Sequence, residues 1–203
     1  MKSRRIAPFV SAFLAAGSFA AGSRESSLGA DSFDASFFDH GTIELTLSAT
    51  GSWSREEGLG LQSKTIGGNI GLGLFLTSWL EVGAKAEGSY REVGPEAGLA
   101  LDEVSSLDVF GGPVLTLNFP AGWVVPFLAA SIGPAYEETR TTGPGGETKE
   151  DELGWYWDAG GGFRFFLTPW ASLNLTVLYR MFLFEDVPDR NSIVGMAGIS
   201  LFF

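Results

Sequence analysis

With 203 residues, a formal net charge of −11 and no cysteine, the chain excludes disulfides, thiolate metal sites and cysteine catalysis. Its 45% hydrophobic content comes with 28 glycines and 13% aromatics, yet mean hydropathy is only +0.16, too low for a bundle of membrane helices. Strands in which only alternate residues are apolar meet all of these numbers together. The acidity argues against nucleic acid as a partner.

Residues 1–20 read as a cleaved signal peptide: Lys2, Arg4 and Arg5 precede a short apolar core, and Ser18-Phe19-Ala20 has the small-x-small form of a cleavage site. A membrane anchor is the rival reading, disfavoured by the short apolar run and its Pro8, Ser11, Gly17 and Ser18. Taking three cations from thirteen leaves ten against 24 acids, so the mature chain carries −14. Residues 21–41 are polar and acidic, a periplasmic lead-in to a domain over 42–203.

From Thr42 onward the sequence alternates with period two, which predicts eight strands. Strand one, 42–54, points Ile43, Leu45, Leu47, Ala49 and Trp53 one way and Glu44 with hydroxyl residues the other. Strands two (65–76) and three (80–91) repeat this, with Glu81, Lys85 and Glu87 on the polar face of the third. Strand four, 105–119, sets Leu107, Val109 and Leu115 against Asp108, and strand five, 124–136, is the least regular because it holds Pro126 and Pro134. Strands six (153–167) and seven (171–183) oppose their apolar faces to Asp158, Arg164 and Arg180. Strand eight, 192–203, is apolar to its end, with small residues Gly195 and Ala197 on the face of Ile199, Leu201 and Phe203.

Tight turns at 77–79, 120–123 and 168–170 alternate with longer polar connections at 55–64, 92–104, 137–152 and 184–191. Short turns on one side and long loops on the other are a property of outer-membrane barrels, and both termini on the short side require an even strand number. In this register Trp79, Trp123 and Trp170 fall at the short-turn end. Trp53, Trp155 and Trp157, with Tyr90 and Tyr136, fall toward the long-loop end. Aromatics at two levels read as belts at lipid headgroups rather than as the filling of a soluble core.

Alternation alone does not separate a membrane barrel from a soluble one with an apolar inside. The signal, the two aromatic levels and the apolar closing strand favour charges inside and lipid outside. The polar face then gathers Glu44, Glu81, Lys85, Glu87, Asp108, Asp158, Arg164 and Arg180. The 168–170 turn sets Asp158 opposite Arg180 as a cross-strand pair, and Arg164 lies at a depth similar to Glu44 and Glu81. An ion path with switchable salt bridges is one reading. A plug of paired charges is favoured, because eight strands enclose a lumen that side chains fill. Surplus acids are expected to meet water or lie near a rim.

Other chemistry is thin. His40 lies before strand one, away from the outer leaflet where a lipid-modifying catalytic pair belongs, so no enzyme is expected. Asp186 with Asp189, and Glu150-Asp-Glu152, offer oxygen ligands without a spacing that fixes calcium and read as solvated charge. Gly143-Pro-Gly-Gly146 is a turn, not a phosphate loop. No metal or cofactor is expected.

Three stretches carry a resemblance: Gly41-Thr-Ile-Glu-Leu45, the hairpin Leu72-Gly-Leu-Phe-Leu-Thr-Ser-Trp-Leu-Glu-Val-Gly83, and the closing strand with Gly198, Leu201 and Phe203. On these, 42–203 resembles the bacterial outer-membrane β-barrel domain family, the small OmpA/OmpX-like barrels. In that family the closing strand serves as an insertion signal, although Met196 departs from its usual polar residue. The resemblance implies an all-β, eight-stranded antiparallel up-and-down transmembrane β-barrel in the bacterial outer membrane. It implies delivery by periplasmic chaperones, insertion by the barrel-assembly machinery, and contact with outer-membrane lipid. No catalytic residues carry over, and a peptidoglycan-binding domain is not expected after the barrel. The expected role is structural or surface-interacting, with an unknown extracellular partner at loops 92–104 and 137–152. A narrow channel for water or small ions is the alternative.

Overall fold

The computed structural model describes residues 40–56, 61–95, 103–143, 145–184 and 189–203, and the side chains of 53–56, 61 and 95 are outside that description. The signal peptide and all of the lead-in before His40 therefore lie outside the described residues, as does the side chain of Trp53.

Eight antiparallel strands close in chain order into a single barrel. They are β1 (Ile43–Glu56), β2 (Leu61–Phe75), β3 (Leu80–Pro95), β4 (Glu103–Asn118), β5 (Val124–Gly143), β6 (Gly146–Thr168), β7 (Ala171–Phe184) and β8 (Arg190–Phe202). The alternation that predicts the strands also sorts their faces. Ile66, Leu72, Leu128, Leu153, Leu167 and Ile199 are exposed on the outside, while Glu44, Phe75, Glu87, Asp158, Arg180 and Ser200 are buried inside. An exposed apolar wall around a charged interior is the inverse of a soluble barrel. It is stable only where the wall meets lipid, and closure pairs every strand edge except the long-loop ends of β1 and β8, above Ala49↔Ala197.

The turns at one end are tight. Thr77 caps the β2–β3 turn by accepting at its hydroxyl from the amide of Leu80, 3.0 Å away. Gly122 turns the chain between β4 and β5 at φ +84°, a left-handed conformation open to glycine at little cost. His40 sits at this same end and donates from Nδ1 to the carbonyl of Leu76.

Two expectations need correction. Residues 137–152 are not a loop: β5 and β6 continue as a hairpin to Gly143 opposite Gly146. Outside a bilayer a strand needs no apolar face, so the charge of this stretch hides its alternation. β4 and β2 likewise start earlier than predicted, at Glu103 and Leu61. The prolines of β5 are accommodated in different ways. Pro126 pairs with Phe163, and its carbonyl accepts from the amide of Phe119. Around Pro134 the β4–β5 ladder lapses between Phe110↔Ala135 and Val114↔Ser131, where Gly111-Gly112-Pro113 faces Ile132-Gly133-Pro134. Prolines on both strands remove donors from this stretch. The backbones approach so closely there that a Cβ on Gly112 or Gly133 would strike the opposite chain.

Candidate functional site

The lumen holds three levels of charge. Nearest the short turns, Arg164 on β6 reaches Glu44 of β1 at 2.8 Å and Glu81 of β3 at 3.0 Å through one nitrogen. Thr46 and Ser200 donate to Glu44, and Asn118 donates to Glu81. The guanidinium also lies over the rings of Phe75, Phe127 and Phe202. Two carboxylates thus share one cation, and they are 1% and 6% exposed. Both line a cavity below the middle level, and hydroxyl and amide donors bond them there.

The middle level is balanced. Arg180 donates both terminal nitrogens to Glu87, each at 2.7 Å, and one of them also lies 3.2 Å from Asp158. Lys85 bonds Asp158 at 2.6 Å, and Ser131 donates to the other oxygen of that carboxylate. The β6–β7 register sets Asp158 opposite Arg180, but the bidentate partner of Arg180 is Glu87, across the lumen. Fork-to-fork geometry of this kind makes the strongest charge-assisted bonds.

At the long-loop end Arg190 joins Asp108 at 2.7 Å and Glu137 at 2.6 Å, and Ser89 donates to Asp108. Sequence reasoning missed Arg190, which fell in a predicted loop. Extending the inward parity of Met196, Gly198 and Ser200 back by three steps would have pointed it into the lumen.

Paired charges do not fill the lumen alone, which corrects the plug of paired charges expected from the sequence. Phe75, Val125, Phe166 and Phe202 form one apolar layer at the short-turn end. Phe110, Ala135, Tyr156, Phe182 and Phe184 form another above the middle charges. Arg180 lies 4.4 Å from the Phe110 ring centroid, so charge and aromatic layers brace each other. Below the middle level is a cavity of about 110 Å³, lined by Thr46, Asn69, Lys85, Arg164 and Asn174 among others. Above it, a vestibule of about 410 Å³ opens toward the long loops.

On the outside, Trp79, Trp123 and Trp170 are exposed at the short-turn end. Trp155 and Tyr90 are exposed toward the other end, with Trp157 and Tyr136 half-buried beside them. On the closing strand Gly198 faces inward against Ser48, while Leu201 and Phe203 face out, and β8 pairs with β1 from Glu44↔Phe202 to Ala49↔Ala197. Beyond the bilayer, Glu138 of the β5–β6 hairpin is bonded by Lys149 at 3.0 Å and Arg140 at 2.6 Å. Those two cations, Lys149 first, hold its carboxyl below the usual range.

No family model and no curated protein matches the chain. Among solved structures it is similar to Ail, the attachment invasion locus protein of Yersinia pestis. That match has 16% identity and a TM-score of 0.51, covering 81% of this chain and 99% of that one. A second structure of Ail, in complex with the heparin analogue sucrose octasulfate, matches at 16% identity and a TM-score of 0.50, over the same shares. Neisserial surface protein A matches at 16% identity and a TM-score of 0.49, covering 80% of this chain and 97% of that one. The likeness to Ail is one of fold. The chain is an eight-stranded barrel of the small outer-membrane type, with a wall suited to a bilayer and a lumen crossed by ion pairs.

Proposed function

We propose that this chain is an integral outer-membrane protein with a structural or surface-interaction role, and that its lumen does not conduct. One observation carries the reading: Lys85, Asp158, Arg180 and Glu87 bond to one another across the full width of the lumen, beneath a layer of aromatic rings. Sealed this way, the barrel leaves its external hairpins as the working parts. The β5–β6 hairpin reaches farthest by sequence, and from Glu137 to Glu152 it bears six acids and two cations. A cationic surface is the partner that this charge favours. We assign no catalysis, since among the described residues the charges of the three lumen levels are spent on one another. The closing strand, with Gly198, Leu201 and Phe203, is the segment proposed to be read by the barrel-assembly machinery after periplasmic chaperones deliver the chain.

A second reading, the narrow channel, draws on the cavity below the middle level and the vestibule above it, between which lie the middle charges and the aromatic layer. Purified protein in a planar bilayer distinguishes the two. The sealed barrel is electrically silent, and Arg180→Ala opens a conductance by removing the span to Glu87. Stable unitary conductance from the unaltered protein would replace the sealed reading with the channel.

A further inference from the structure

The barrel closes through its weakest seam. β1 is held by β2 along its whole length, to Glu56↔Leu61, and β8 is held by β7 from Ala171↔Leu201 to Phe182↔Arg190. Between themselves β1 and β8 share only the pairs from Glu44↔Phe202 to Ala49↔Ala197. Continuing that register would set Gly51 against Gly195 and Glu56 against Arg190, so both strands are long enough to zip farther and do not. The ladder stops there, and on the outer face a Cβ on Gly195 would meet nothing within 4 Å. Among the described residues one side-chain bond bridges the start of the opening, from the Thr50 hydroxyl to the Gly195 carbonyl at 2.8 Å.

The unzipped segments, Thr50–Ser52 and Asn191–Gly195, are themselves walls of the 410 Å³ vestibule, so the opening connects its interior with the lipid-facing side. Inside, three arginines (Arg91, Arg180 and Arg190) face two carboxylates, Glu87 and Asp108, with serine and threonine hydroxyls around them. Arg180 is held by Glu87 and Asp158, and Arg190 by Asp108 and Glu137, which leaves Arg91, exposed at the rim, as the arginine of this wall without an ion pair among the described residues. Outside, Ile66 and Ile193, each about two-thirds exposed, flank the small outward residues Gly51 and Gly195.

We propose that this opening is a lateral binding site for a single-chain anionic amphiphile of the surrounding bilayer. Its phosphate-like head sits in the vestibule against Arg91 and the hydroxyls, and its acyl chain leaves between Gly51 and Gly195 along the isoleucines. A preformed polar pocket beside an apolar trough matches the two ends of such a molecule, and charge-assisted bonds from arginine favour the anionic head. The site rests on the bilayer-embedded reading but not on a silent lumen.

The test titrates the barrel, in a neutral polyoxyethylene detergent, with dodecyl phosphate, dodecanol and inorganic phosphate, and reads bound species by native mass spectrometry. Dodecyl phosphate should bind at least about tenfold more tightly than the other two, and Arg91→Gln should cost about tenfold. The chain has no native cysteine, so a Gly51→Cys/Gly195→Cys pair forms a single defined bridge across the opening. Oxidised, this variant should lose dodecyl phosphate binding, and reduction should restore it. Gly195→Trp, which fills the same space, is the second variant should the bridge prevent folding. Unchanged gel mobility on heating would count against the membrane barrel itself. A heat-modifiable barrel that binds dodecanol or inorganic phosphate as tightly, or binds dodecyl phosphate undiminished when bridged, overturns the site alone.

Discussion

Removing the guanidinium of Arg180 tests whether the middle level holds the barrel together. In Arg180→Leu, Glu87 loses both of its 2.7 Å bonds while remaining in a place where it is 2% exposed. Asp158 fares better, because Lys85 still holds it at 2.6 Å. Only one carboxylate is orphaned, and leucine keeps some of the packing against Phe110. Breaking a buried pair from one side costs about 3–5 kcal/mol, and these two features place the variant near the lower figure. That is roughly two decades in the unfolding equilibrium. Adding Glu87→Leu removes the stranded charge, and the double variant should recover to within about 1.5 kcal/mol of the parent, since apolar replacement of a buried pair is often neutral. Reversible urea unfolding in lipid vesicles, followed by tryptophan fluorescence, gives all three values. A single substitution costing under about 1 kcal/mol, with additive effects in the double variant, would refute the claim that the pair is coupled and desolvated.

Gly133→Ala should destabilise the barrel by about 1–3 kcal/mol in the same urea assay, because the new methyl meets the Gly111 backbone across the β4–β5 approach. Gly145→Ala, with open space around its Cβ, serves as the control and should be near neutral. The hairpin should show an acid-dependent loosening. Glu138 is held ionised by Lys149 and Arg140, so its contribution is present above the ordinary carboxylate pKa and is lost as pH falls through its lowered value. A spin label on Gly145→Cys should stay ordered between about pH 5 and 8 and gain mobility only below about pH 4. Glu138→Gln should abolish that transition. Phe203→Ala should lower the yield of heat-modifiable barrel in cells, and a normal yield would remove Phe203 from the assembly signal.

Much of the architecture was legible because lipid imposes a strict rule on a strand: every second residue must be apolar. Leu72-Gly-Leu74 or Leu173-Asn-Leu175 can be read directly as one wall. The rule lapses outside the bilayer, which is why Glu137–Glu152 passed for a loop although it is paired to its tip. Within the lumen, neighbours across a short turn were also legible, as Asp158 and Arg180 show. Partners that meet across the barrel were not. Lys85 reaches Asp158 on β6 and Glu87 reaches Arg180 on β7, contacts set by strand tilt and side-chain length rather than by any local spacing. The aromatic layers were half visible, since Phe75, Phe110 and Tyr156 already stood on the polar face. Their stacking on arginines depends on the closed shape.

The central claim, that the apolar face meets lipid while the charges face in, is tested most directly by tryptophan quenching in vesicles of brominated phospholipid. Trp79, Trp123, Trp170 and Trp155 are exposed on the wall at its two ends. Bromine placed near the headgroup should therefore quench most strongly, and bromine near the chain end least. Quenching that is absent, or uniform with bromine depth, would contradict it.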